Sequence, residues 1–452
     1  MRERATTPAS RAILVVLILA LVPLTGAGGP PPAFPIGVSA DHRHLEDQAG
    51  RPFLVVGDTA WSLIAQLGDD DIARYLDDRA GRGFNAIIVN LIEHKFATSA
   101  PAARDGIAPF LAPGDFTRPN PAYFGRAHRV IEQAARRGIS VWLCPSYLGW
   151  GGGDEGFFKE IAAAGPEALR AYGRFLGERF KDLPNVVWMM GGDYAMPESE
   201  RWTGEELAAG LQEGGARQLM TAHGGQSSAV STFGDRPWIA VDTVYSYLKE
   251  LHVPLLDTYR RQPIRPFVLI ETIYEGEHDA LPERIRQQAW TSMLCGAAGQ
   301  FFGNNPIWHF DGPTLFPFKG DWHLALDGVG SRDMARLGAF FAVRRWTELA
   351  PDRDGTLVAS QGPSGPAPVA ASTADGRLTV VYIPANGGTR IDLTLNLHLL
   401  AGTLTARWFN PAQDGPLREE GSVIINADGQ RLATPGDNGA GANDWVLVLE
   451  GR

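Results

Sequence analysis

The sequence predicts a (β/α)8 TIM barrel followed by a small antiparallel β-sandwich, and three observations carry that reading. From about Gly37 to Pro351, eight short apolar runs alternate with amphipathic helical patterns. Several connections after the runs are long and carry Trp, Tyr, His and Pro. After Pro351 the helical period stops, and short alternating strands between Gly, Pro and Asn turns take over.

The eight runs are Phe53–Val56, Ala86–Val89, Val141–Cys144, Val186–Met190, Gln218–Ala222, Ile239–Tyr245, Phe267–Ile270 and Gln300–Phe302. Near-continuous apolar strands separated by helices belong to a parallel sheet covered on both faces. Eight of them over about 300 residues fit a closed barrel better than an open sheet. The helices show their own ends. Asp69–Gly83 opens on acidic residues and closes on glycine, and Pro121–Gly138 opens on proline and closes Arg136-Arg137-Gly138. Pro166–Lys181, Leu281–Cys295 and Ser331–Trp346 read alike. In the last hundred residues, Leu378–Ile383, Arg390–Leu397, Leu404–Phe409 and Trp445–Glu450 read as sandwich strands.

These patterns divide the chain into a signal peptide (1–27), a linker (28–35), a barrel domain (36–351) and a C-terminal sandwich (355–452). The leader is read from Arg2, Arg4 and Arg11 ahead of the apolar run Ala12–Leu24, with small residues at Thr25-Gly26-Ala27. The run has the length of a signal-peptide core and is short for a membrane span. The expectation is a secreted or periplasmic protein, with an uncleaved anchor as the alternative. The net charge of −10 and the lack of a Lys/Arg cluster beyond the leader argue against nucleic acid or an anionic membrane as partner. Cys144 and Cys295 are read as buried free thiols, and two cysteines cannot build a zinc cluster.

In a barrel the working residues stand at the C-terminal ends of the strands. The polar and aromatic residues after the runs are Asp58 and Trp61, Asn90, Tyr147, Asp193, His223, Tyr245, Glu271, Tyr274 and Glu275, and Asn304 and Trp308. Two carboxylates stand out. Asp193 follows Val-Val-Trp-Met-Met-Gly-Gly, and Glu271 follows Phe-Val-Leu-Ile without a spacer. Cleavage of a glycosidic bond needs one carboxylic acid to protonate the leaving oxygen and a second carboxylate as nucleophile or base. Carboxylates at the mouths of the fourth and seventh strands are placed for that pair. Gly191 and Gly192 are read as room for a ligand to approach the backbone. Glu275 is an alternative second carboxylate, and Glu93 and His94 are read as solvated. Asp58 serves equally as a helix cap or a substrate ligand. Trp142 and Trp188 are read as core. The remaining residues form a substrate-binding set: Asp58, Trp61, Asn90, Tyr147, His223, Tyr245, Tyr274, Glu275, Asn304 and Trp308. No cofactor is expected and no metal ligand is assigned; a hydrolytic metal would use His223 with Asp193. There is no Gly-x-Gly-x-x-Gly after the first strand, no Walker loop and no Gly-x-Ser-x-Gly elbow.

Several motifs resemble one family in order along the chain. They are His44-Leu45-Glu46-Asp47, Gly50–Phe53, Gly57-Asp58-Thr59-Ala60-Trp61, Tyr75–Arg79 with Gly83-Phe84-Asn85, and Asn185–Trp188 leading to Gly191-Gly192-Asp193. Glu271-x-x-Tyr274-Glu275 and the stretch to Trp346 and Leu349-Ala350-Pro351 complete the set. Together they resemble the apiosidase-like barrels, glycoside hydrolase family 140 and its relatives, over residues 36–351. The resemblance implies a polysaccharide or oligosaccharide substrate. It also implies an Asp acid/base after strand four and a Glu nucleophile after strand seven, here Asp193 and Glu271, acting with retention. The tail, with Arg407-Trp408-Phe409-Asn410-Pro411, resembles the small "collagen-binding" domain appended to such barrels. Gly299–Asn305 and the loop Asp193–Pro197 depart from the family pattern, so apiose as the sugar is the finer expectation. The competing reading is a non-catalytic carbohydrate- or matrix-binding protein on a barrel scaffold.

Overall fold

The computed structural model describes residues 31–318, 320–361, 366–388, 390–397, 403–424 and 428–451. The leader and the first part of the linker lie outside the described residues. No helix among those described is long and apolar enough to cross a membrane.

Eight parallel strands form the barrel: β1 Val55–Thr59, β2 Ala86–Asn90, β3 Ser140–Cys144, β4 Val186–Gly191, β5 Met220–His223, β6 Asp242–Tyr245, β7 Phe267–Glu271 and β8 Gly299–Phe302. The ladder runs continuously from β5 back to β1, on to β8 and round to β6. The ring closes between β5 and β6 largely through side chains. Thr221 Oγ1 donates to Val241 O at 2.7 Å, and Thr243 Oγ1 to Ala222 O at 2.8 Å. All eight strands are buried along their length, which is why they read as unbroken apolar runs.

The principal helices are α1 Asp69–Gly81, α2 Pro121–Arg136, α3 Phe158–Phe180, α4 Trp202–Glu213, α5 His252–Arg260, α6 Pro282–Leu294 and α7 Val329–Ala342. Asn120 caps α2 by accepting from Ala122 N, with Pro121 in the first turn. The helix expected from Pro166 begins earlier, at Phe158, and bends at Gly165, whose φ of 82° breaks the helical run before Pro166. Inside the barrel Trp142 and Phe301 meet at 5.0 Å between ring centres. Gly57 makes room, because a Cβ there would lie 2.3 Å from the Phe301 ring. Trp142 and Trp188 are fully buried core, as expected, and Cys144 and Cys295 are buried and free.

Four differences from the sequence reading have physical reasons. β1 starts two residues later than expected, because Phe53 belongs to a plug. It packs with Ile36 and Leu45 against the starts of several strands at the barrel floor. The described end of the linker is pinned: Arg51 Nη2 donates to Pro31 O at 2.8 Å, and Ala33 N donates to Asp47 Oδ2 at 3.1 Å. Asp58 sits inside β1, fully buried, accepting from Tyr75 at 2.9 Å and pairing with Arg79 at 3.3 Å. It ties β1 to α1 and is not among the residues that line the cavity at the barrel mouth. Finally, Leu349–Pro351, counted with the barrel, is the first strand of the sandwich and pairs with Val369–Thr373.

In the sandwich a six-stranded sheet faces a three-stranded one, both antiparallel. The strands are β9 Leu349–Pro351, β10 Val358–Gln361, β11 Val369–Thr373, β12 Leu378–Ile383, β13 Asp392–Asn396, β14 Leu404–Phe409, β15 Arg418–Ile424, β16 Asp428–Ala433 and β17 Trp445–Gly451. The outer face of the larger sheet packs on α6 and α7. Leu378, Val380, Tyr382, Val446 and Val448 share one apolar cluster with Ile285, Trp290, Phe340 and Phe341.

Candidate active site

At the C-terminal mouth of the barrel lies a cavity of about 260 Å³. It is lined by Asp193, Glu271 and Glu277, by Tyr147, Tyr245, Tyr247 and Tyr274, by Trp61, Trp150 and Trp308, and by Asn90. The two carboxylates singled out from strand ends therefore share one opening. Glu271 is the last residue of β7, so strand geometry fixes its backbone. Asp193 follows β4 through Gly191 and Gly192, with φ of 96° and 151°. The room these glycines leave is for protein, not ligand. A Cβ on Gly191 would lie 2.1 Å from His223 O, and one on Gly192 would lie 2.7 Å from the Tyr147 ring.

His223, at the end of β5, stands behind Glu271 and does not line the cavity. Its Nδ1 lies 3.0 Å from Gly224 O, and its Nε2 lies 2.6 Å from Glu271 Oε2. A carbonyl only accepts, so Nδ1 carries a hydrogen. The short contact at Nε2 then holds a second proton shared with Glu271. Burial would pull His223 down, but the hydrogen bond and charge of Glu271, with Asp193 beyond, raise it above its ordinary value. Trp61 and Tyr245 pack on the ring at 5.7 and 5.2 Å between centres.

Asp193 is held differently. Tyr147 donates to its Oδ2 at 3.2 Å, and Tyr245 also hydrogen-bonds to it. Its Oδ1 is buried without a partner. Burial, reinforced by the nearby charge of Glu271, pushes its carboxyl up to about 6. The two carboxyls thus have different surroundings, one clamped by His223 and one held by two tyrosine hydroxyls. One ligand atom each from Asp193, His223 and Glu271 lies within 4.8 Å of the others. The same trio has the donor types of a divalent-cation site, but a cation there would displace the proton between His223 and Glu271.

Of the expected substrate contacts, Trp61, Asn90, Tyr147, Tyr245, Tyr274 and Trp308 line the cavity. Trp61 Nε1 donates to Tyr274 OH at 3.0 Å, which fixes both rings. Asn90 donates to Glu93 Oε2 at 3.1 Å and leaves its own Oδ1 unpartnered. Two other expected contacts fall outside. Glu275 accepts from Gly330 N at 2.9 Å and so caps the start of α7, which has no capping side chain of its own. Asn304 donates to Glu275 at 2.7 Å and is spent on the same lock. Glu93 is 1% exposed rather than solvated, because it accepts from Ser62 and from the backbone of His94 and Phe96. Arg265, a conceivable ion-pair partner for Glu271, binds Asp235 and Ile239 O instead. The reading by strand ends missed Glu277, which lies six residues past Glu271 in a turn. Trp308 Nε1 donates to its Oε1 at 2.9 Å.

The fold and the facing carboxylates define a barrel glycosidase. The chain belongs to the apiosidase-like catalytic domain family, which matches residues 39–348, and it is a glycoside hydrolase. Residues 351–450 match the "Putative collagen-binding domain of a collagenase". No curated protein matches the sequence. Among solved structures, one described as "Glycoside hydrolase" is 22% identical, covering 92% of this chain and 97% of that one, with a TM-score of 0.77. A glycoside hydrolase family 5 protein from Bacteroides vulgatus ATCC 8482 is 23% identical, covering 92% and 93%, with a TM-score of 0.76. At these identities the likeness shows the fold.

Proposed function

We propose that this protein is a secreted, retaining glycoside hydrolase of plant cell-wall or other extracellular glycans, with Glu271 as nucleophile and Asp193 as acid/base. The observation that carries the reading is that one oxygen of Asp193 lies within 4.8 Å of one oxygen of Glu271, in one cavity, with His223 clamped to only one of them. Retaining enzymes place their carboxyls about 5–5.5 Å apart, and inverting ones leave about 6.5–9.5 Å for a water.

In the first step a Glu271 oxygen attacks the anomeric carbon. The glycosidic C–O bond breaks, and Asp193 gives its proton to the departing oxygen. In the second, Asp193 takes a proton from water, the water oxygen bonds to the anomeric carbon, and Glu271 leaves as carboxylate. His223 clamps Glu271 through a short hydrogen bond, while burial raises Asp193 to about 6, so the acid and nucleophile roles are separated by environment. Apiose is the sugar to try first, on family grounds, with pectic fragments that bear it.

Glu271→Gln and Asp193→Asn each leave the fold intact and cut turnover of the cleaved glycan by about 10²–10⁴ or more. Released reducing sugar and thermal unfolding measured side by side check this, and near wild-type rates in both variants overturn the assignment. A metal reading of the same trio predicts loss of activity in EDTA and its return with a divalent ion; the proton reading predicts indifference to both. Secretion rests on the leader alone, and N-terminal sequencing of exported protein tests it.

A further inference from the structure

The residues that line the cavity differ in kind between its floor and its rim. The floor, with Glu271, Trp61, Tyr245, Tyr274 and Trp308, is buried. The rim is Trp150, Gln226, Tyr247, His278, Leu315 and Phe316, all exposed or half-buried. Trp150 is 71% exposed and Leu315 54%. Single apolar residues at a surface need no explanation, but large ones converging on one opening do. Nor is Trp150 on a loose segment. Its backbone N–H donates to Glu155 Oε1 at 2.9 Å, and next to it Gly151 N donates to Asp193 O at 2.9 Å. The indole is thereby tied to the residue proposed as acid, on the side from which the leaving group departs. Elsewhere on the rim, ring contacts run from Tyr245 to Tyr247 at 5.5 Å, on to His278 at 5.8 Å and to Phe316 at 5.2 Å.

We infer that this rim is a binding site for the apolar body of an alcohol or phenol, the group that leaves the sugar in one direction and is joined to it in the other. The inference rests on the glycosidase reading of the cavity and names the class of its aglycone. A sugar residue carries hydroxyls round its ring and needs donors and acceptors at its edge. Beyond the indole N–H of Trp150, only Gln226 and His278 bring polar ends to this rim, since the Tyr247 hydroxyl is bonded to Tyr245. Leu315 and Phe316 present hydrocarbon alone. An alkyl or aryl group removes that surface from water and leaves no polar group of its own unpaired. A further activity follows. The first step leaves the sugar bonded to Glu271. There an alcohol seated on the rim competes with water. Its oxygen bonds to the anomeric carbon, its proton passes to Asp193, and the bond to Glu271 breaks with Glu271 leaving as carboxylate. The product is a new glycoside of that alcohol in place of the free sugar.

The first test measures binding on the full chain, so it does not depend on turnover. Saturation-transfer NMR titrations of 1-propanol, 1-butanol and 1-hexanol compare one hydroxyl on apolar bodies of different length. Glycerol is the polar control and xylotetraose the sugar. Affinity for the alcohols is expected to rise about twofold per methylene, as for half-burial of the added group. Trp150→Ala and Leu315→Ser are each expected to flatten that rise, and both side chains are exposed, so the fold is not at risk. The second readout is the ratio of alkyl glycoside to free sugar formed from the cleaved glycan. Both products come from one intermediate, so the ratio does not depend on how fast that intermediate forms. At equal concentration 1-hexanol is expected to give a ratio about fivefold or more above that of 1-propanol, falling at least about threefold in Trp150→Ala. Affinities that do not rise with chain length, or that rise equally in both variants, would overturn the inference. So would xylotetraose binding that Trp150→Ala abolishes while the alcohols bind unchanged, because the rim is then a sugar platform. Turnover that needs Asp193 and Glu271 but shows no preference for the longer alcohol as acceptor defeats this inference alone. Length-dependent alcohol binding that needs Trp150, in a chain without glycosidase turnover, defeats the proposed function alone.

Discussion

Asp193 and Glu271 are chemically alike, and their neighbours make them different. Glu271 shares a proton with His223 at 2.6 Å, whereas Asp193 has a buried, unpartnered Oδ1 and two tyrosines on its other side. A carboxyl raised to about 6 is protonated below that pH and loses its proton as pH rises through it. With Asp193 as the proposed acid, the proton for the leaving oxygen is therefore lost on the alkaline side. The expected kcat/KM on unactivated glycans falls about tenfold per unit above roughly pH 6. That limb should be absent for aryl glycosides whose leaving group needs no proton when bond breaking limits the rate. A limb of equal size for both substrates would contradict the assignment. At this scale the sequence was informative where a residue ends a strand, as Asp193 and Glu271 show. It misled at Asp58 and Glu275, whose roles depend on Arg79 and on the start of α7, both distant in sequence. Glu277 left no strand-end signal because a turn carries it back to the opening.

At the level of elements, glycines set how closely the parts that carry the site approach. α3 and α4 touch backbone to backbone. A Cβ on Gly177 would lie 2.2 Å from Leu211 O, and one on Gly214 would lie 2.2 Å from Arg174 O. These two helices flank β4, the strand that delivers Asp193. Gly177→Val forces them apart, with an expected loss of about 1–3 kcal/mol in denaturant unfolding and a larger loss if the helices separate fully. A change below about 0.5 kcal/mol would show that the helices have slack. The barrel strands were legible because burial on both faces makes them continuous apolar runs. Some strands of the sandwich were harder. β16, Asp428–Ala433, has no fully buried residue, and β11 reads Val-Ala-Ala-Ser-Thr, so neither shows strong alternation.

Across the whole molecule, the sandwich is built into the barrel. Arg286 of α6 is 1% exposed and pairs with Asp333 of α7 at 3.1 Å and with Asp444, just before β17, at 2.7 Å. Tyr382 donates to Asp444 at 3.1 Å and stacks on Trp290. Removing the guanidinium takes the counter-charge from buried Asp444, leaving it the Tyr382 and Asn438 donors, and leaves Asp333 only Arg336, so Arg286→Ala is expected to cost about 3–5 kcal/mol. Calorimetry of the wild type should give one transition, because the apolar cluster is shared by both parts. Two well-separated transitions would mean that the sandwich is an independent attachment, as a separate matrix-binding module requires. Its position, resting on α6 and α7, leaves the cavity mouth to the barrel loops.

Asp193 and Glu271 are proposed to grip one glycosidic bond as a retaining pair, with Glu271 bonding covalently to the sugar. The most direct measurement is ¹H NMR of the first-formed anomer while the cleaved glycan is being hydrolysed. The expected result is a product with the configuration of the substrate, before mutarotation, with no product from Glu271→Gln. First release of the opposite anomer, or continued release by that variant, would contradict it.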